Sequence, residues 1–292
     1  MYASVRFGSK TRGISDKYSD NDLLIVCADK ERKIISDKYL SSEYNVSFFS
    51  KKQLFWMRDK GSLFLQHIKR DGVIIYDDNN IFEVFLKDCQ FIVPDDNEIK
   101  RCESTISFIS ALPEEPTLVG WKADFIYCVS RDYLIKKLAR KGILAFGIDE
   151  IISSSLECFK FKNEDLDKFK TLREIKSKNR NEGLDGFNNS DVSFIIRSWL
   201  KALRLKFDIK YDDNRELLVD CLFNRNYSST YEALRCLEAL YLLAEVKGVN
   251  HIEHHKIIKH IKSPNLYRSL QGSKKSLIKK YIREIHVFFD YN

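Results

Sequence analysis

The spacing of hydrophobic positions changes after the first quarter of the chain. Residues 3–7 (ASVRF) read as a short strand, and residues 22–27 (DLLIVC) form a continuous apolar run of strand length. Residues 44–49 (YNVSFF) alternate and carry β-formers, which predicts a third strand, and residues 73–76 (VIIY) predict a fourth. Between the last two, residues 51–70 place Leu54, Phe55, Met57, Leu63, Phe64, Leu65 and Ile68 at helical spacing. That stretch predicts one helix, or two helices broken near Gly61. Residues 30–40 read as a short helix or a loop.

From about residue 81 the period is helical. The apolar sets of residues 121–141 and 191–206 each line one side of a helix. Residues 229–247 open with Ser229 and Glu232 in capping-box order, which predicts another helix. Residues 265–289 predict a last, basic helix. Residues 175–190 (IKSKNRNEGLDGFNNS) are polar and hold two glycines, so they read as a loop or linker. Strands first and helices afterwards imply an α+β fold. The expected organisation is an α+β domain over residues 1–95, then a mainly helical domain over 96–292.

Charge adds one asymmetry. The net charge is +7, yet residues 251–292 hold nine Lys/Arg against three Asp/Glu. The surplus is therefore C-terminal, and it suits a phosphate-bearing partner. No apolar run approaches the roughly 18 residues of a membrane span, so no membrane partner is expected. The first residues do not read as a signal peptide. Seven cysteines without a Cys-x-x-Cys pair predict buried thiols in a reducing, cytoplasmic setting.

The candidate chemistry lies in residues 7–26. Phe7 leads out of a strand into Gly8-Ser9; ten residues later come Asp20-Asn21-Asp22, at the mouth of the apolar strand. A turn containing Gly can aim several backbone N–H groups at one point, and Ser9 adds a hydroxyl. Lys10 and Arg12 lie in the same turn and suit phosphate oxygens. Asp20 and Asp22 are two apart, so a strand would point both to one face. Their repulsion calls for a cation, and hard carboxylate oxygens beside a polyphosphate suit Mg²⁺. At ordinary residue frequencies the four fixed positions recur by chance about once in 10⁵ positions.

Gly8-Ser9, a ten-residue spacer and Asp20-Asn21-Asp22, set within Ser19-Asp20-Asn21-Asp22-Leu23, resemble the DNA polymerase beta-like nucleotidyltransferase superfamily, its minimal branch in particular. The resemblance covers the first 80–90 residues. It implies a nucleotidyltransferase fold, an NTP donor (ATP favoured), two Mg²⁺ ions and transfer of an NMP to an acceptor hydroxyl with loss of pyrophosphate. By this resemblance Gly8 and Ser9, with Lys10 and Arg12, would bind the triphosphate, and Asp20 and Asp22 would ligate Mg²⁺. The family takes a third carboxylate from the next strand, in a setting like Asp-Val-Ser-Phe. Here the stretch is Asn45-Val46-Ser47-Phe48, so Asn45 occupies the third position with a neutral oxygen. A slow enzyme, an enzyme rescued by Glu43, and a nucleotide-binding subunit of a toxin–antitoxin or phage-defence complex all remain open. Among acceptors the basic C-terminal stretch favours RNA or tRNA, with protein as the other candidate.

Three further features carry less. His251, His254 and His255 sit at i, i+3 and i+4 of a helical stretch, where a solvated or phosphate-facing role is expected over zinc. His67 lies in an apolar helix and reads as a core or near-site histidine. Arg131–Phe146 is similar to the helical segment that follows some nucleotidyltransferase domains, but no His stands at ribonuclease-motif spacing after Arg131.

Overall fold

In a computed structural model, the structure describes residues 2–8, 10–11, 13, 21–39, 44–111, 116–181 and 186–209, with the helical positions Arg235, Leu237, Glu238, Lys280, Tyr281 and Arg283. Among these residues the fold is α+β. Strands β1 (Ala3–Phe7), β2 (Asn21–Val26), β3 (Tyr44–Phe49) and β4 (Val73–Asp77) form one mixed sheet in the order β3-β2-β1-β4. β1 runs antiparallel to β2 and to β4, whereas β2 and β3 are parallel. A parallel pair needs a crossover, and helix α1 (Arg32–Tyr39) supplies it. Residues 30–40, read as helix or loop, are thus mostly helix.

β2 explains its own sequence. It lies between two partners, and both of its faces are covered. Leu24 and Val26 join Ala3, Val5 and Phe7 in one core; Leu23, Ile25 and Cys27 join Ile35, Tyr39, Val46 and Phe48 in the other. A strand buried on both sides has no polar alternation to show, hence the unbroken apolar run. The first of these cores is closed by helices α2 (Lys51–Asp59), α3 (Leu63–Asp71) and α4 (Ile81–Asp88), through Leu54, Leu65, Ile68, Phe82 and Phe85. Ser50 caps α2: its Oγ accepts from the Gln53 amide at 3.3 Å, while Gln53 Oε1 accepts from the Ser50 amide at 2.8 Å. The break between α2 and α3 falls at Gly61, whose φ of +64° suits a helix end and whose missing Cβ leaves room for Ile92. Asp77 ends β4 and caps α4 by accepting from the amides of Phe82 and Glu83 at 2.9 and 2.8 Å.

The remaining described helices are α5 (Asp96–Ala111), α6 (Pro116–Ala139), α7 (Ile148–Phe159), α8 (Asn163–Asn181) and α9 (Asn189–Phe207). None of the described helices is long and apolar enough to cross a membrane. The chain divides into two compact units, one of Met1–Cys102 with Ser130–Leu166, the other of Glu103–Val129 with Asp167–Asn292. In the second unit Phe169 stacks on Trp199 at 4.9 Å and on Tyr127 at 5.2 Å. Arg235 is buried there between Asp124 (3.2 Å) and Glu238 (2.8 Å), and Trp121 Nε1 donates to Glu238 at 2.8 Å.

One local expectation is corrected. Residues 175–181, read as part of a loop, continue α8, and α9 begins at Asn189 with Asn188 as its cap. Ile175 is fully buried in line with Leu172 and Phe169, which anchors that turn of helix. The Lys, Arg and Glu around it are good helix formers on a solvated face, so polarity there did not signal a loop. Most of the helices expected over 229–247 and 265–289, together with His251, His254 and His255, lie outside the described residues. Cys27, Cys89 and Cys102 are buried free thiols, and Cys128 and Cys158 are half-buried. Burial pushes the Cys102 thiol up to about 12, with the Asp132 carboxylate adding to the effect.

Candidate functional site

The register of the sheet sets three residues in a row. Phe7, the last residue of β1, stands opposite Asp22 across the antiparallel pair, and Asp22 stands opposite Asn45 across the parallel pair. Asp22 has the parity of Leu24 and Val26, and Asn45 that of Phe49. Both side chains therefore lie on the face that carries the Phe7 ring and helices α2–α4. Leu24 is fully buried and Asp22 half-buried, so the face turns from apolar to polar within two residues.

Asn45 Nδ2 donates to Asp22 Oδ1 at 2.9 Å. The other carboxylate oxygen lies on the opposite side, towards the turn. A Cβ built on Gly8 would come within 2.9 Å of Asp22 Oδ2, and Gly8 has a φ of +91°. A side chain at position 8 would therefore be strained and would press on the carboxylate. Glycine here brings bare backbone against an acidic oxygen, leaving a cradle that a Cβ would fill. Beyond it, the Gly13 amide donates to the Lys10 carbonyl at 3.2 Å, and the Lys10 side chain is exposed. Ser9, Arg12, Asp20 and Glu43 lie outside the described residues. Among the described residues no group of three or more His, Cys, Asp or Glu is placed to hold a metal.

The residues present fit a divalent ion with a polyphosphate in part. Asp22 supplies a hard oxygen beside a turn that lacks a side chain. Position 45 brings an amide N–H towards the acid, where the expectation had its oxygen facing an ion.

Next to this row lies a second arrangement, of which the sequence pointed only to His67. The Phe7 ring meets Phe64 edge-on at 5.5 Å and His67 edge-on at 5.8 Å. His67 in turn stacks on Phe146 at 4.7 Å, and the Arg70 guanidinium lies over the same Phe146 ring, 4.9 Å from its centroid. His67 Nε2 is 3.4 Å from Asp71 Oδ2. Arg70 donates twice to Asp71 at 2.7 Å, twice to Glu150 at 3.0 and 3.1 Å, and to the Leu144 carbonyl. Burial favours protonation of Glu150, but the amides of Gly147 and Phe146 and the Arg70 charge outweigh it and hold the carboxyl at about 2. Hydrogen bonding to Asp71 raises Arg70 above its ordinary value, against burial, with Glu150 helping. The clasp ties the start of α7 to the end of α3, next to the ring of Phe7, the residue that ends β1. Its sequence signal was faint: Gly147-x-x-Glu150 has capping-box spacing with a weak first residue.

Comparisons with family models, with curated proteins and with solved structures found no match for this chain.

Proposed function

We propose that the chain is a Mg²⁺-dependent nucleotidyltransferase with a fold of the DNA polymerase beta-like type. It would move an NMP from an NTP, ATP favoured, to an acceptor hydroxyl with release of pyrophosphate. The observation that carries this reading is the convergence of Gly8, Asp22 and Asn45 at one end of the sheet. Of the residues marked by the Gly-Ser … Asp-x-Asp spacing, Gly8 and Asp22 come together where β1 ends, and a Cβ at position 8 would press on the acid.

In this reading the Gly8 turn lets the polyphosphate approach backbone N–H groups, with Ser9, Lys10 and Arg12 adding donors and charge. Asp22, with Asp20, would hold the ion. The buried Leu23 and Leu24 fix the strand that carries Asp22, so the carboxylate is positioned before substrate arrives. Mg²⁺, when bound, supplies charge neutralisation on the transferring phosphoryl group. The acceptor oxygen forms a bond to the α-phosphorus as the bond to the β-phosphate bridging oxygen breaks, and the hydroxyl proton passes to solvent or a nearby base. The basic balance of residues 251–292 supports an RNA or tRNA acceptor over a cationic small molecule.

A specific observation favours a second reading. The Asn45 amide brings no negative charge and no base to the acid it touches. A nucleotide-binding subunit that retains intact NTP, working within a toxin–antitoxin or phage-defence complex, would need neither. Incubation of the full chain with α-labelled ATP, Mg²⁺ and an RNA pool separates the two. Release of pyrophosphate and label on RNA, both lost in Asp22→Ala, support transfer. Intact ATP held by wild type and lost in Asp22→Ala supports the binder. Equal behaviour of wild type and Asp22→Ala in both assays would sink the site itself.

A further inference from the structure

We infer that the outer face of α2 is a docking surface for single-stranded RNA, with the Trp56 ring as a base-stacking platform between two lysines. The inference uses no residue of the Asp22 row and holds whether or not that row binds a nucleotide. α2 turns Leu54 into the core, and Met57 packs against it. The helical period then sends Lys52, Trp56 and Lys60 outwards in one stripe, at i, i+4 and i+8. The Lys60 amide donates to the Trp56 carbonyl at 3.1 Å, so the turn geometry holds to the end of the stripe. Eight residues of helix put the two lysine Cα atoms about 12 Å apart. Trp56 is 61% exposed, and Phe55 beside it 46%. The Phe55 ring is already held, edge-on against Phe85 at 5.5 Å and under the Arg58 guanidinium at 4.9 Å. Among the described residues, no ring, cation or hydrogen-bonding group engages the Trp56 indole.

Charge and chemistry select the occupant. Lys51, Lys52 and Lys60 are exposed and have no carboxylate partner among the described residues, with Lys51 lying over the Tyr2 ring at 4.0 Å. The acid of the stretch, Asp59, is answered by Arg58 at 2.9 and 3.0 Å. The face therefore presents surplus positive charge around an open ring. Single-stranded RNA offers both complements: phosphates that neutralise lysines while leaving them hydrated, and bases whose faces stack on an indole. In a duplex the bases stack on one another and are closed to the ring. A protein partner would bury the lysines, a residue type depleted in protein interfaces. A membrane-surface helix lays a whole apolar face into the bilayer boundary, whereas α2 turns Leu54 and Met57 to its own core.

The chain has three tryptophans, and Trp121 and Trp199 are 4% and 0% exposed, so the emission reports on Trp56 when a ligand is added. The full-length chain is titrated with single-stranded oligouridylate, without NTP or Mg²⁺. Tryptophan emission is read together with the anisotropy of a dye on the RNA. Quenching that tracks the anisotropy with one Kd is the expected result. Trp56→Leu should weaken binding at least about fivefold. Lys52→Gln combined with Lys60→Gln should lower the magnitude of the slope of log K against log salt by about 1.4. All three positions are exposed, so the circular dichroism of these variants should match wild type. RNA that binds with Trp56 emission unchanged overturns the inference, since another basic stretch then holds it. Unaltered RNA affinity in Trp56→Leu overturns it as well. Vesicles of equal parts phosphatidylserine and phosphatidylcholine form the last arm. A blue shift with vesicles and no response to RNA gives the face to a membrane and overturns the inference. Failure of wild type to bind RNA also overturns it, and leaves the Asp22 reading to its own assay.

Discussion

Arg70 on α3 and Glu150 at the start of α7 are joined by two hydrogen bonds of 3.0 and 3.1 Å across 80 positions of sequence. The contact places the Phe146 ring on His67, and His67 against Phe7, the residue before the Gly8 turn. The clasp thus supports the strand end through these rings, and its electrostatics make it sensitive to acid. Glu150 is held at about 2 in the fold, below its ordinary 4.5. A depressed carboxyl contributes stability that is present above its unfolded value and lost as pH falls through the folded one. Wild type should therefore lose stability between about pH 4.5 and pH 2 relative to Glu150→Gln, which has no proton to take up there. With the side chain about a third exposed, solvent screening reduces the difference to roughly 1 kcal/mol. Urea melts of both proteins across that range measure it. Parallel curves would show that Glu150 carries no folded-state shift.

Gly8 and Gly13 both have positive φ, but they differ in what surrounds them. An alanine Cβ at Gly8 would press on Asp22 Oδ2, whereas at Gly13 nothing among the described residues lies within 4 Å. Gly13→Ala should show backbone strain alone, about 1 kcal/mol, with nucleotide affinity unchanged. Gly8→Ala should lose about 1–3 kcal/mol and at least tenfold in affinity for a non-hydrolysable ATP analogue, because the carboxylate must move. Thermal melts and equilibrium dialysis on the pair test this. Equal affinities for the two variants would separate Gly8 from the binding site.

Much of the first unit was legible in the pattern of residues 3–76. β2 was visible as a continuous apolar run because both of its faces are buried, and β3 because Val46 and Phe48 face one core while Asn45 and Ser47 have the other parity. The helix break at Gly61 was legible because a residue with φ of +64° at a helix end is most cheaply glycine. Gly8 and Asp22 come together because antiparallel pairing of β1 and β2 brings the end of one strand to the start of the other. Two things were hidden. The direction of the Asn45 amide depends on which atom of a neighbouring strand it meets, and residue type is silent on that. The Arg70–Glu150 clasp joins positions whose nearness is set by tertiary packing, and charged residues at helix ends read equally well as solvated. The tail of α8 was hidden for a different reason, since its burial rests on Ile175 alone among polar neighbours.

The buried charges of the second unit make a large effect of one substitution predictable. The Arg235 side chain is 2% exposed, and its partners Asp124 and Glu238 are 1% and 7% exposed. Its guanidinium also lies 5.3 Å from the rings of Trp121 and Phe125. Removing the cation leaves two carboxylates buried without their shared counter-charge, which typically costs about 3–5 kcal/mol. Arg235→Ala should lower the unfolding free energy from urea melts by that amount, and Arg235→Ala combined with Asp124→Asn and Glu238→Gln should recover part of it. A single-variant loss below about 1 kcal/mol would show that the two acids find other partners.

Position 45 links stability to metal in a way that needs no substrate. In wild type the Asn45 amide donates to Asp22 Oδ1, a favourable contact to a charged group worth about 1.5–3 kcal/mol when part-buried. Asn45→Asp replaces that donor with a second carboxylate at the same separation. At neutral pH the two charges repel, so the variant should melt lower than wild type in EDTA. Two remedies are open to such a pair: one acid takes up a proton, or a cation enters between them. Stability of the variant should therefore rise as pH falls from 7 towards 5, because the pair binds protons more tightly folded than unfolded. It should also rise on adding millimolar Mg²⁺ or Mn²⁺ at pH 7, by about RT ln(1 + [M]/Kd), while wild type gains less. Differential scanning fluorimetry over pH and metal concentration records both responses. If Asn45→Asp melts with wild type in EDTA and ignores both proton and metal, Asp22 and residue 45 do not share a pocket, and the row across β1, β2 and β3 loses its chemical meaning.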